Sequence, residues 1–199
     1  MKIHTRILVV FVIGFLLASC SPASRDVSTK LAEAVLTTAD LPPGYQTLSE
    51  ENLQDLGMTR EMFSASFSGV SMDFLPVSFS AFLNPDANNI GMVFAMVIYP
   101  LSKDDIRTWD GQIRDVEKTS IDLAAGMGEG VILKPNHEFS KIGNGSMGFT
   151  TILEGLTVEI ILARRNDTAM LILSEYLQSG VDIFSLAQKL DERVAAAYQ

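Results

Sequence analysis

The sequence predicts an α+β fold: an antiparallel β-sheet of about six strands packed with a long central helix and a C-terminal helix. Three observations predict it. Apolar, strand-like runs recur at 77–83, 90–99, 131–139, 145–153, 157–164 and 168–177. Glu154-Gly155 and Asn166-Asp167 are tight-turn dipeptides, and a parallel crossover needs about a dozen residues, so the strands they join are antiparallel. Two amphipathic stretches, 102–123 and 182–197, carry apolar residues at helical spacing.

Along the chain, Ser21 to Lys30 is polar and contains Pro22, and is expected to be a tether. Leu31, Ala34 and Val35 then lie at helical spacing and predict a short helix over 31–38. Asp40-Leu41-Pro42-Pro43-Gly44-Tyr45 ends it, because two prolines force an extended path. A further helical turn or two is expected over 50–56. Phe63, Ala65 and Phe67 alternate with serines and suggest a strand between 62 and 75.

Asn84 to Asn89 is a turn-rich link, so 77–83 and 90–99 form a hairpin. The second of these strands is apolar on both faces, as a covered central strand would be. Ser102 followed by Asp105 forms a capping-box pattern that opens the long helix. Ile106, Trp109, Ile113, Val116 and Leu123 give it an apolar face, and Gly126, Gly128 and Gly130 stop it. Further on, Val158, Ile160 and Leu162 alternate with Glu159 and Ile161, the period of a sheet face. In the last helix, Ile183, Ala187, Leu190 and Val194 form the buried stripe.

The N-terminus is a separate matter. Lys2 and Arg6 precede an apolar run, Ile7 to Leu17, which is too short to span a bilayer, since a span needs roughly 20 residues. The run ends in Leu17-Ala18-Ser19-Cys20. These residues resemble the lipobox of bacterial lipoproteins. The resemblance implies a diacylglyceryl group on the Cys20 thiol and cleavage just before it, and the new amino terminus is often acylated too. The competing reading is an ordinary secretory signal that leaves Cys20 as a free thiol. Cys20 is the only cysteine, so no disulfide forms within one chain, and a lone thiol in an oxidising compartment is better explained if capped. More than one acyl chain meets the requirement for stable anchoring. The expected organisation is a signal over 1–19, a tether over 20–30 and one domain over 31–199, exported and held at a membrane, facing the periplasm or cell exterior.

Loss of Lys2 and Arg6 with the signal takes the net charge from −9 to −11. Such a surface repels nucleic acid, and no basic run interleaved with aromatics exists to offset it. Catalytic and metal constellations are equally sparse. His137 is the one histidine after the signal, too few for a triad or a histidine-based zinc site, and its neighbours Pro135-Asn136-His137-Glu138-Phe139 suggest a surface position. The 84–89 link has calcium-type oxygen ligands but carries Asn89 where the turn glycine belongs and Ala95 where the bidentate Glu belongs. The glycine runs 126–130 and 143–148 lack the Gly-Lys-Ser/Thr of a phosphate loop. Met58/Met62 and Met92/Met96 offer soft ligands, but thioethers more often fill gaps in cores. No cofactor is expected.

The segment Leu36 to Tyr45 (LTTADLPPGY) resembles one common near the start of exported bacterial domains. With the run Lys141-Ile142-Gly143 to Gly148, the strand Val158 to Arg165 and an amphipathic C-terminal helix, the layout is similar to PknH-type sensor domains, the PsbP-like fold and LpqN-type lipoproteins. The resemblance implies a helix–sheet sandwich with a binding or sensing role, and it transfers no catalytic residue. The expected function is therefore non-enzymatic: a lipid-anchored envelope domain that binds a partner protein or ligand. Two alternatives stand beside it. One is a carrier or sensor whose apolar pocket is lined by Met92, Phe94, Met96, Trp109 and Phe149 for a lipid or small hydrophobe. The other is an envelope hydrolase with two facing carboxylates of raised pKa.

Overall fold

The computed structural model describes residues 22–55, 76–86, 88–127 and 130–199. Seven strands form one antiparallel sheet: β1 (Gln46–Thr47), β2 (Ser78–Asn84), β3 (Gly91–Ile98), β4 (Lys134–Pro135), β5 (Gly145–Leu153), β6 (Leu156–Arg165) and β7 (Thr168–Tyr176), in the spatial order β1-β2-β3-β7-β6-β5-β4. Among the described residues five α-helices accompany them: α1 (Pro22–Ala32), α2 (Glu50–Asp55), α3 (Lys103–Arg114), α4 (Val116–Met127) and α5 (Ile183–Ala197). The fold is α+β as predicted, with seven strands where about six were expected; the two-residue β1 has no alternation long enough to register in a sequence.

Strand alternation divides the interior into two cores, one on each face of the sheet. Val93, Ala95 and Val97 of β3, Ile161 and Ala163 of β6, and Met170 and Ile172 of β7 pack under α5 through Ile183, Leu186, Leu190 and Val194. The intervening Phe94, Met96, Ile160, Leu162 and Leu171 pack on the other face with Trp109, Leu123 and Leu53. Both faces of β3 are covered, as its unbroken apolar run requires.

The N-terminal expectation is corrected. Residues 22–32 are helical, where a tether through Lys30 and a helix from Leu31 were expected. Pro22 sits in the first turn, where its missing N–H costs nothing. Lys30 and Asp26 pair at 3.1 Å one turn apart. Val27 and Leu31, also four apart, pack on the α5 core, and Leu31 is fully buried. After α1 the chain runs through tight turns to a 3-10 turn at Thr38–Asp40 instead of continuing the helix.

The long helix is also two. Asp115, with φ −124° and ψ 65°, breaks it, while its side chain accepts from Lys118 N at 3.2 Å to start α4. The apolar spacing runs across the break, so periodicity alone does not reveal it. The capping box at its start is present: Asp105 N donates to Ser102 Oγ at 3.1 Å and Ser102 N to Asp105 Oδ2 at 2.9 Å. The strand expected over 131–139 shrinks to Lys134–Pro135, because Asn136 Oδ1 accepts from Glu138 N and turns 137–139 into a 3-10 turn. The strand expected between 62 and 75 lies outside the described residues.

Glycines in the 143–148 run serve packing. Gly143 has φ +63°, and a Cβ there would stand 2.3 Å from Arg164 O. Gly148 lies under the Phe139 ring, which in turn stacks on Phe184 of α5 with centroids 6.2 Å apart. Leu190, 1% exposed, sits at the centre of the α5 core. Leu190→Ala is expected to lower unfolding stability by about 2–5 kcal/mol, measured by urea titration of the single tryptophan's emission.

Candidate functional site

The surface feature with the clearest chemistry is an apolar cleft at the β4–β5 end of the sheet. Ile121 of α4, Ile132 and Ile152 of β5 are 69, 69 and 72% exposed. Two hollows lie among them. One, of about 580 Å³, is lined by Ile121, Ala124, Ala125, Val131 and Leu133. The other, of about 300 Å³, lies between Lys134 and the β5 residues Thr150 and Ile152. Gly130 and Ile132 line both, so they adjoin. Exposed isoleucine raises no concern when scattered singly; gathered around a hollow it marks a surface suited to apolar contact.

Local sequence explains the opening. Ile132 is exposed between half-buried Val131 and buried Leu133, the alternation of a strand that stops before pairing. β4 pairs with β5 only at Lys134↔Thr150 and Pro135↔Phe149. Asn136 N adds one bond to Gly148 O at 2.7 Å. That bond places the main-chain polar groups of Gly148, and by period two those of Thr150 and Ile152, on the outer edge of β5. Beyond Lys134 the chain leaves β5, and no main-chain bond to Ile152 from that side occurs among the described residues. Lys134 shares the face of Thr150 and Ile152 and makes no ion pair among the described residues.

The five side chains expected to line an internal pocket are brought together, on the α3 face of the sheet. Phe94, Met96, Trp109 and Phe149 are 1, 3, 2 and 0% exposed and belong to one packed core, with Met92 partly buried against it. None of the five lines the hollows described here. Leu17, Ala18, Ser19 and Cys20 lie outside the described residues. His137 is on the surface in a 3-10 turn, its Nε2 3.9 Å from Glu117. No group of three metal-ligating side chains occurs among the described residues. Ile121, Ile132 and Ile152 were not singled out in the sequence, where nothing separates an exposed isoleucine from a buried one.

Among the described residues Glu159 and Glu175 are carboxylates of raised pKa, and these two do not face each other. Burial pushes Glu175 up. Burial, then repulsion from Asp182, pushes Glu159 up against a hydrogen bond from Tyr176. Glu159 pairs in register with Ser174, so Glu159 and Glu175 point to opposite faces of the sheet. Asp182 is held below the usual range by hydrogen bonds from the Ser185 side chain and N–H, which it accepts as the N-cap of α5. Other ion pairs tie elements together. Arg165 makes two 2.6 Å bonds to Asp191 of α5, and Arg164 reaches Asp110 of α3 at 2.6 Å. Partial burial raises the Asp40 pKa, yet hydrogen bonds from Thr37 and Arg193 take it below the usual value.

Glu159 gives a prediction. Its folded pKa is raised, so ionisation costs stability; the cost is absent below the ordinary carboxylate range and complete above the raised value. Glu159→Gln is expected to raise the melting temperature at pH 7, with the gain vanishing by pH 3. Thermal unfolding across that range checks it.

Comparison with family models, with curated proteins and with solved structures finds no match to this chain, so its site stands on its own residues.

Proposed function

We propose that this chain is a non-enzymatic, lipid-anchored protein of the bacterial cell envelope whose α+β domain binds a partner through the isoleucine cleft. The observation that carries the anchor is Cys20, the only cysteine, at the end of a short apolar run and in the pattern Leu17-Ala18-Ser19-Cys20. Only Ser21 separates Cys20 from α1, which begins at Pro22. Since α1 packs on α5 through Val27 and Leu31, the acyl chains would hold the folded domain close to the bilayer instead of on a long leash. The observation that supports binding is the cleft: three exposed isoleucines around adjoining hollows on an otherwise acidic chain. No helix among the described residues is long and apolar enough to cross a membrane, which leaves the anchoring role to the N-terminus in this reading.

Cys20→Ser tests the anchor. The expected outcome is an uncleaved precursor, or protein released from membranes, with no incorporation of labelled palmitate. A cleaved, unlabelled variant that still sediments with membranes would sink the lipid-anchor reading.

A further inference from the structure

We infer that a separate hollow, at the outer edge of β2, binds a small neutral molecule whose apolar body carries one hydrogen-bonding group. The inference goes beyond the partner-binding reading and does not rest on the isoleucine cleft. The hollow holds about 310 Å³ and lies between residues 35–38, the 47–48 end of β1 and residues 79–82 of β2. Local hydrogen bonds shape it. Leu48 N donates to Ala81 O at 2.8 Å and closes the edge of β2 on one side. Ser78 Oγ donates to Ala34 O at 3.1 Å and closes it on the other. The stretch of β2 between these two ties borders the hollow. The 35–38 wall is fixed from α5, because Arg193 bonds Val35 O and, at 2.9 Å, Asp40 Oδ1. Both walls are therefore held before a ligand arrives, which lowers the ordering cost of binding.

Three observations define the ligand. First, the floor is apolar and the rim polar. Leu36, Leu53, Ala81 and Phe82 are buried, while Thr37, Thr38 and Thr47 are exposed at the mouth. Among the described residues no charged side chain lines the hollow. A charged ligand would lose its hydration there without a counter-charge, so the ligand is neutral. Second, Ser80 lines the hollow, and its Oγ is buried with no hydrogen-bond partner. Buried hydroxyls are ordinarily paired. A serine hydroxyl turns on one side-chain torsion and can donate or accept, so a polar group in the hollow can meet it in either sense. Third, size limits the apolar body. Benzene fits an apolar cavity of about 150 Å³, so this hollow admits one or two rings. The ties at Ser78 and Leu48 close it along β2, which suits a compact molecule better than an acyl chain.

The test uses the full chain isolated from bacterial membranes and held in phosphatidylcholine vesicles. Phenol and cyclohexanol are the probes, and benzene is the control without a hydrogen-bonding group. Hydrogen exchange in peptides spanning 34–38 and 78–82 should slow saturably with at least one probe. Ser80→Ala should raise the half-saturating concentration of that probe about two- to tenfold, the worth of one hydrogen bond, and leave that of benzene unchanged. Thr47→Phe sets a ring at the rim and should abolish the protection. Ser80→Ala removes a hydroxyl that has no partner, so its unfolding midpoint, read from Trp109 emission, should hold or rise. That readout separates lost binding from lost fold. The inference is overturned if neither probe slows exchange saturably, or if Ser80→Ala leaves the probes unaffected. It is equally overturned if Ser80→Ala weakens benzene by the same factor, or if protection survives Thr47→Phe.

Discussion

The pairing of β3 with β7 is the constraint on which the fold depends. Eight registered pairs, from Gly91↔Tyr176 to Ile98↔Ala169, join a hairpin near the middle of the chain to a meander near its end. Neither half buries its apolar residues alone. β2 and β3 leave Val93, Ala95 and Val97 uncovered until β7 brings β6 and the C-terminal helix alongside. The contact closes a loop of some seventy residues, an entropic cost that grows only slowly with length. Burial on both faces of two central strands offsets it.

With the sheet joined, each helix layer has one task. α5 covers one face and is tied down at both ends: Asp182 caps its start, and near its end Arg193 reaches Asp40 while Tyr198 donates to Asp167. Asp191 holds it laterally, receiving Arg165 and the Gly143 N–H together. That places a carboxylate, 12% exposed, where its lone pairs are occupied, as burial of charge demands. On the other face, α3 and α4 meet at Asp115, and the change of direction lets Trp109 and Leu123 share one core. Phe94, Met96, Trp109 and Phe149 fill that core, with Met92 packed against it.

The cleft arises where these arrangements end. β5 and β6 extend to the Glu154-Gly155 turn, both residues with positive φ, beyond the reach of β4. The exposed end of β5 and its isoleucine therefore follow from unequal strand lengths.

Much of the architecture was legible in local pattern. Turn dipeptides at 154–155 and 166–167, the Ser102–Asp105 box and the stripe of α5 are short-range features, and each appears where its residues predict it. Other features were not legible, because what decides them lies elsewhere in the chain. Asp115 breaks a continuous apolar spacing by one side-chain bond. The polar 22–30 stretch is helical because Val27 and Leu31 find α5. Local pattern sets the periods and turns, and with them an antiparallel sheet with helices. Strand order, and which apolar residues stay outside, emerge only on packing: Ile161 and Ile152 are the same residue type on neighbouring strands, one at 1% exposure and one at 72%. Burial depends on what packs above a side chain, and that is set by partners distant in sequence.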